Sequence, residues 1–231
     1  MKMNDELFYK LKPFNNHFNL RKLDDNYLVK KADMSKTRIR ELMKIKIEGE
    51  SIPEDYVCID NECYYQIRKL NGYDFSNVQV NDKAFSSLLD NGFTLLKKYH
   101  DNRVYLCDIT ERNIVYDGNV HFVDYDDICV NGNYPRNIYS DAFPYINRFI
   151  NRKSSRDLAL NDKLCLLHVM LRIANGSYED YLMDHKEYEL DMVSKELKEE
   201  LNDYIFGRRE IQRENYLEEP IKELKKELRL S

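Results

Sequence analysis

Residues 104–127 read VYLCDITERNIVYDGNVHFVDYDD: an apolar run, a polar loop, and two short apolar segments joined by a turn. The segments IVY and VHFV have the residue types of strands. The Asp-Gly pair between them favours a tight β-hairpin, because glycine tolerates the positive φ that such a turn needs. Asp108 and Asn113 precede the hairpin, and Asp124 follows it. Because a hairpin brings its two ends together, we expect Asn113 beside Asp124, with Asp108 one loop away.

These residue types suit phosphoryl transfer. A carboxylate such as that of Asp108 can orient or accept the proton of an attacking hydroxyl, and side-chain oxygens suit Mg²⁺, a hard ion that needs few protein ligands when phosphates supply the rest. The spacing D-x-x-x-x-N, followed by a hairpin and an apolar-apolar-Asp, resembles the catalytic loop and metal-binding aspartate of the protein kinase superfamily. The resemblance implies that Asp108 is the catalytic base and that Asn113 and Asp124 bind Mg²⁺. The alternative is a plain hairpin with solvated acidic ends.

Composition narrows the class of protein. The chain has 231 residues, 42% of them hydrophobic, which is enough for one large domain or two small lobes. It shows neither an apolar run of membrane-spanning length nor a signal-peptide core, so no membrane partner is expected. A net charge of −5 argues against a dedicated nucleic-acid binder. The five cysteines lack disulfide-scaffold or zinc spacing, which indicates a reducing, cytoplasmic protein with Cys58 and Cys63 as small core residues.

The first 32 residues have the pattern of strands, and residues 27–30 read YLVK. This tetrapeptide is similar to the V-A-I-K strand of kinases, so Lys30 is expected to contact the α- and β-phosphates of ATP. Strand alternation sends Lys31 to the opposite face, and an edge-strand lysine in water is the alternative. Residues 12–18, where kinases carry a glycine-rich loop, contain no glycine. Backbone amides of an Asn-Asn turn can still reach phosphates.

Residues 35–48 have the apolar spacing of a helix, with Ser35 as N-cap and Gly49 as the stop. This helix occupies the place of the kinase C-helix, whose glutamate pairs with the strand lysine. The resemblance implies Glu41 in that role, with Glu48 as the alternative. Charged residues on one side of a helix also fit a plain solvated face.

Two strands around a turn are expected at 56–59 and 63–67. The run that follows resembles the fifth strand and hinge of kinases. The resemblance implies that Ile67 is the gatekeeper residue and that Arg68 to Leu70 form the hinge, whose backbone groups bind adenine. The alternative is a strand that ends in an Asn-Gly turn.

Two buried helices are expected, one at 83–100 directly before the catalytic loop and one at 158–175. The second resembles the kinase F-helix, and Asp162 matches the aspartate that binds the catalytic-loop backbone in that family. The family's H-R-D is Leu-Cys-Asp here and its D-F-G is Asp-Tyr-Asp, so activation through an arginine-bound phosphate is not expected. Asp126 and Asp127 are interpreted as excess surface acid rather than as further metal ligands.

Residues 130–157 occupy the position of the activation or substrate segment. Their arginines make the segment locally basic, which suits an acidic substrate or a phosphate, with ordinary loop solubility as the alternative: Arg136, Arg148, Arg152 and Arg156. Beyond residue 177, two amphipathic stretches predict short closing helices.

The fold that these expectations describe is α+β: a two-lobed protein kinase-like fold with a small antiparallel β N-lobe and a mainly helical C-lobe. The N-lobe would span 1–70, with a sheet and one helix, and the C-lobe 71–231, with the catalytic loop at 104–127. The implied function is an ATP-dependent phosphotransferase that uses ATP and Mg²⁺ and transfers the γ-phosphate to a hydroxyl on a protein.

Two alternatives remain open. A small-molecule kinase of the aminoglycoside phosphotransferase type is favoured by the missing glycine-rich loop, the missing arginine before Asp108 and the missing glycine after Asp124 and Tyr125. A pseudokinase that acts as a binding or scaffold module is favoured by the missing glycine-rich loop. The presence of Lys30, Asp108, Asn113 and Asp124 argues against the pseudokinase, because a scaffold needs none of them.

Overall fold

A computed structural model describes residues 4–15, 19–59, 62–135, 154–176, 187–208 and 217–230. In these residues the protein is α+β, with small antiparallel sheets and several helices. The helices are α1 (Asp5–Lys10), α2 (Lys36–Met43), α3 (Lys83–Asp101), α4 (Ser155–Ala174), α5 (Lys195–Phe206) and α6 (Glu218–Leu230). The strands are β1 (Leu20–Lys22), β2 (Tyr27–Ala32), β3 (Asp55–Ile59), β4 (Glu62–Arg68), β5 (Tyr73–Asp74), β6 (Val104–Tyr105), β7 (Ile114–Tyr116), β8 (Val120–Phe122) and β9 (Cys129–Val130).

The largest sheet has the strand order β1-β2-β4-β3 and is antiparallel throughout. Its register places Lys30 opposite Tyr65 and Leu28 opposite Ile67. Because side chains alternate along a strand, these four project from one face of the sheet. Lys31 projects from the other face, where it forms ion pairs with Asp5 and Glu62. The expectation that the two neighbouring lysines diverge is confirmed.

Strands were expected throughout the first 32 residues, and that prediction is wrong for the beginning of the chain. Residues Asp5–Lys10 form helix α1. Asn4 caps the helix by accepting a hydrogen bond from the backbone N–H of Leu7 at 2.9 Å, and acidic residues occupy its first turn, where they suit the helix dipole. Phe8 is fully buried and packs against Val29 and Tyr64 on the outer face of the sheet.

Helix α2 begins as predicted, with Ser35 accepting a hydrogen bond from the backbone N–H of Arg38. It ends at Met43 rather than at residue 48. The residues after it alternate in burial: Ile45 and Ile47 are buried, whereas Lys46 and Glu48 are exposed. An alternation of period two is typical of an extended chain rather than of a helix.

Strands β3 and β4 form as expected, and they correct the prediction for two cysteines. The antiparallel register pairs Cys58 directly with Cys63, and the two form a disulfide. Directly opposed residues of an antiparallel pair project to the same side of the sheet, so the strand pairing itself brings the sulfurs together. The remaining cysteines are free and buried: Cys107, Cys129 and Cys165.

The predicted buried helices α3 and α4 pack against each other and form the centre of the main hydrophobic core. Nearly every residue from Leu158 to Leu171 in α4 is buried, as expected for a helix that is apolar almost all round. Helix α5 ends at Gly207, whose φ of +70° fits a glycine cap. Among the helices of the described residues, none combines the length and apolarity needed to cross a membrane.

Candidate active site

The predicted hairpin is present as strands β7 and β8, joined by a turn at Asp117 and Gly118. At its open end the backbone N–H of Val123 donates to the carbonyl oxygen of Asn113 at 2.9 Å. Asp124 follows directly, with a φ of +67°, in the left-handed region that few non-glycine residues adopt. The hairpin therefore places Asn113 and Asp124 side by side, as its sequence predicted.

Asn113 also orients Asp108. Its amide nitrogen donates to the backbone oxygen of Asp108 at 2.9 Å and to the carboxylate Oδ2 at 3.1 Å. The amide nitrogen is thus committed to Asp108, which leaves the amide oxygen of Asn113 as a candidate ligand for a cation. Asn113 therefore contacts Asp108 through its side chain and adjoins Asp124 through the hairpin backbone.

The loop that carries Asp108 is anchored by helix α4. The fully buried carboxylate of Asp162 accepts hydrogen bonds from the backbone N–H groups of Leu106 and Cys107, both at 2.8 Å, and lies 3.0 Å from His100 Nε2. This is the contact with the loop backbone that was expected for Asp162. Cys107 has a φ of +62°, a conformation that costs an L-residue about 1–2 kcal/mol. The Asp162 carboxylate therefore holds Cys107 in this conformation, directly before Asp108.

Lys30 lies between two aspartates. Its ammonium forms ion pairs with the carboxylate of Asp124 and, at 2.9 Å, with that of Asp126. Burial alone would lower the pKa of Lys30, but the two carboxylates outweigh it and raise the pKa. The side chain of Asp126 is only 14% exposed, so its interpretation as surface acid is wrong. Its partner, Lys30, is 96 positions earlier in the sequence, so no local pattern could indicate the ion pair.

The predicted pairing of Lys30 with Glu41 is absent. Glu41 instead forms an ion pair with Lys44 and accepts a hydrogen bond from Asn131 at 3.0 Å, and the alternative, Glu48, is exposed. Asp126 therefore supplies the second carboxylate that the resemblance assigned to a glutamate of helix α2. Helix α2 still contacts the segment that contains Asp126, but it does so through Arg38 rather than through a glutamate.

Arg38 is buried, and within the described residues the acceptors of its guanidinium are backbone carbonyls. The acceptors are the carbonyl oxygens of Asp126 at 2.9 Å, Ile128 at 3.1 Å and Asp33 at 3.2 Å. Burial lowers the pKa of Arg38, and Asp127 is foremost among the carboxylates that oppose this shift. The side chain thus links helix α2 to the chain that follows Asp124.

A cavity of about 340 Å³ brings most of the predicted residues together. It is within the range of small-ligand sites and is lined by Lys30, Ile67, Arg68, Leu70, Asn113 and Asp124, together with Asp126. Apolar side chains line it as well: Leu20, Leu28, Val115 and Val123. Asp108 and Glu41 are outside the lining. Gly72 belongs to the wall, and a side chain there would meet the carbonyl oxygen of Tyr116 at 2.2 Å, so only glycine fits.

The segment before β1 contributes Phe14, Asn15 and Asn19 to the same cavity. Asn15 has a φ of +48°, which asparagine tolerates better than most residues. Residues 16–18 are outside the described part of the chain, as is most of the predicted activation or substrate segment, including Arg136, Arg148 and Arg152.

Two side chains at this site carry oxygens of the type that magnesium binds. Asn113 and Asp124 line one cavity, and both offer oxygen, the ligand type that a hard cation prefers. Within the described ranges, no group of three or more His, Cys, Asp or Glu side chains is arranged to hold a metal ion. A magnesium ion at Asn113 and Asp124 would therefore need the phosphates of a nucleotide to complete its shell.

Asp127 is half-buried beside the site. Burial, followed by the charges of Asp108, Asp124 and Asp126, raises its pKa to about 6. Because the folded pKa lies above the ordinary value of 3.8, the folded state binds the extra proton between these two values. The free energy of unfolding therefore falls as the pH rises from about 4 to about 6, and the cost of the charge is complete above that range.

We expect Asp127→Asn to stabilise the protein by about 1–2 kcal/mol at pH 7, a figure reduced for partial solvent exposure. The gain should disappear below about pH 4, where the wild-type carboxyl is also neutral. Urea unfolding at pH 4 and pH 7 measures both values. Asp25→Asn, in an exposed turn, is the control and should change little. A less stable Asp127→Asn protein at pH 7 would show that the charge of Asp127 is compensated.

A second polar group lies beside strand β8, and no local pattern in the sequence predicts it. The carboxylate of Glu50, 2% exposed, lies 3.0 Å from His121 Nδ1 and accepts hydrogen bonds from the Tyr99 hydroxyl at 2.6 Å and the Phe122 backbone N–H at 3.2 Å. Tyr125, between Asp124 and Asp126 in sequence, contacts the Tyr99 hydroxyl at 3.1 Å. Glu50 lies in the charged stretch IEGES, which resembles an exposed loop.

Comparison with models of known protein families finds no match, and no curated protein matches the sequence.

Proposed function

We propose that the protein is an ATP-dependent phosphotransferase of the protein kinase-like type. In this proposal residues 1–70 and 71–231 are its two lobes, and the 340 Å³ cavity is the nucleotide cleft. The observation that carries the proposal is the convergence of Lys30, Asn113 and Asp124 on that cavity, although they come from separate parts of the chain. A structural hairpin with solvated acids would not need a buried lysine paired with the aspartate that follows the hairpin.

The apolar side chains Leu28, Ile67 and Val123 suit a planar base, whose polar edge would meet backbone groups between Arg68 and Leu70. Lys30 would bind phosphate oxygens while Asp126 keeps its ammonium in place. Asn113 and Asp124 would hold magnesium, which neutralises phosphate charge when bound.

Asp108 would act on the acceptor. Its carboxylate, oriented by the amide of Asn113, would receive the hydroxyl proton as the acceptor oxygen bonds to the γ-phosphorus and the bond to ADP breaks. A protein hydroxyl is the acceptor that we propose. A small-molecule hydroxyl is the second candidate, favoured by the absence of glycine from residues 12–18 and of an arginine before Asp108. A pseudokinase would bind the nucleotide without turnover.

The test is thermal stability with ATP, with and without magnesium. A ligand that binds only the folded state stabilises it by about 2.7 kcal/mol at one hundred times its dissociation constant. We expect a magnesium-dependent rise in melting temperature for wild type that Asp124→Ala abolishes and Asp25→Ala retains. Absence of any shift at millimolar ATP would overturn the proposal. A shift of equal size without magnesium would overturn the assignment of Asn113 and Asp124.

A further inference from the structure

A second cavity lies between helices α3, α4 and α6. Its volume is about 550 Å³, larger than that of the proposed nucleotide cleft, and the described residues that line the two cavities do not overlap. Part of its wall is apolar, formed by Phe93, Ala159, Leu217 and Ile221. Another part is aromatic: the rings of His100 and Tyr105 stack with their centroids 5.3 Å apart. We call this cavity the basic pocket.

The charged side chains of the basic pocket are mostly cationic, although the whole chain has a net charge of −5. Five basic residues line it against two acidic ones, Asp101 and Glu218. The basic residues are Lys97, Arg156, Lys163, Lys222 and Lys225. A concave site lined mainly by one sign of charge attracts ligands of the opposite sign.

Two of these lysines have carboxylate partners. Lys97 contacts Asp101 at 2.7 Å, and Lys222 contacts Glu219 at 3.6 Å. Lys163 and Lys225 are half-buried, and neither forms an ion pair with a carboxylate in the described part of the chain. Burial lowers the pKa of Lys225, because desolvation puts a cost on its charged form. A bound anion would remove that cost.

We propose that the basic pocket binds a small organic anion with two negative charges on an apolar, aromatic-sized body, of the chemical class of an aryl phosphate. The ammonium groups of Lys163 and Lys225 would meet the two charges. Phe93 and Ile221 would contact the apolar body, which inorganic phosphate lacks. This proposal does not depend on the nucleotide cleft.

The probe for the test is 1-naphthyl phosphate, followed by its fluorescence anisotropy. The chain contains no tryptophan, so protein emission interferes little. We expect saturable binding in the range of about 10–100 μM, with inorganic phosphate competing at least about tenfold more weakly. If inorganic phosphate bound as tightly as 1-naphthyl phosphate, the proposed apolar contacts would be overturned. If the protein did not bind 1-naphthyl phosphate at about 1 mM, the whole proposal would be overturned.

Two double variants with the same change in net charge test whether the probe binds in the basic pocket. Lys163→Gln combined with Lys225→Gln should weaken binding about tenfold or more, as expected for the loss of two charge-assisted contacts. The matched control, Lys195→Gln with Lys226→Gln, removes the same net charge outside the pocket and should bind within about twofold of wild type. Melting temperatures without probe verify folding. If both double variants bound the probe with equal affinity, the assignment of the probe to the basic pocket would be overturned. It would also be overturned if Lys30→Gln, in the cleft, weakened probe binding as much as the Lys163 and Lys225 double variant does.

Discussion

Asp108→Asn should reduce phosphoryl transfer by about a thousandfold, in the middle of the range that a general base contributes, while nucleotide binding is retained. The amide cannot accept the hydroxyl proton. Its shape still fits the contacts with Asn113, which reach both the backbone oxygen and the side chain of residue 108. The variant should therefore fold and show the same magnesium-dependent rise in melting temperature with ATP as wild type.

The measurement is ADP release and transfer of the labelled γ-phosphate, with protein hydroxyls and small-molecule hydroxyls offered as separate acceptor pools. Asp25→Asn is the matched control for the loss of one aspartate. Turnover by Asp108→Asn at the wild-type rate would exclude Asp108 as the base. Nucleotide binding by wild type without transfer to either pool would instead favour the pseudokinase.

Glu50→Ala should cost about 3–5 kcal/mol of stability, the range expected when a buried ion pair loses one partner. His121 would remain 5% exposed with only Asp117 to pair with, at 2.8 Å. The Tyr99 hydroxyl and the Phe122 backbone N–H would also lose their acceptor. Glu48→Ala, two positions earlier and exposed, is the matched control and should change stability little.

The stability that Glu50→Ala loses should depend on pH. Burial alone would lower the pKa of His121, but its hydrogen bonds to Glu50 and Asp117 outweigh burial and raise the pKa above 6.5. The stabilisation from charged His121 is therefore complete below about pH 6.5 and is lost as the pH rises through the folded pKa. Urea unfolding at pH 6 and pH 9 should show a larger loss at pH 6. A loss below about 1 kcal/mol at both values would mean that water replaces the carboxylate.

The parts of the fold that the sequence predicts are those with a local signal. The apolar periodicity of α3 and α4 and the Asp-Gly turn between β7 and β8 each need only neighbouring residues, and all were predicted. The convergence of Asn113 and Asp124 follows from the hairpin alone. The ends of elements are predicted less well: α2 stops at Met43 rather than at residue 48.

The features that the sequence could not supply depend on residues far apart in the chain. The disulfide requires the β3–β4 register, which sets Cys58 opposite Cys63. The burial of Asp126 requires Lys30, and the role of Glu50 requires His121, 71 positions later. Each of these acids lies in a charged stretch that has the composition of a solvated surface. Pairing inside the fold, rather than composition, determines which acids are buried.

Arg38 ties helix α2 to a segment that lines the cavity. Its guanidinium holds the carbonyls of Asp126 and Ile128 as well as that of Asp33, near the start of the helix. Planar, multidentate contacts of this kind resist sliding and rotation more than a single bond does. A displacement of helix α2 is therefore expected to move the backbone of Asp126, and with it the ion pairs that Lys30 forms with Asp126 and Asp124.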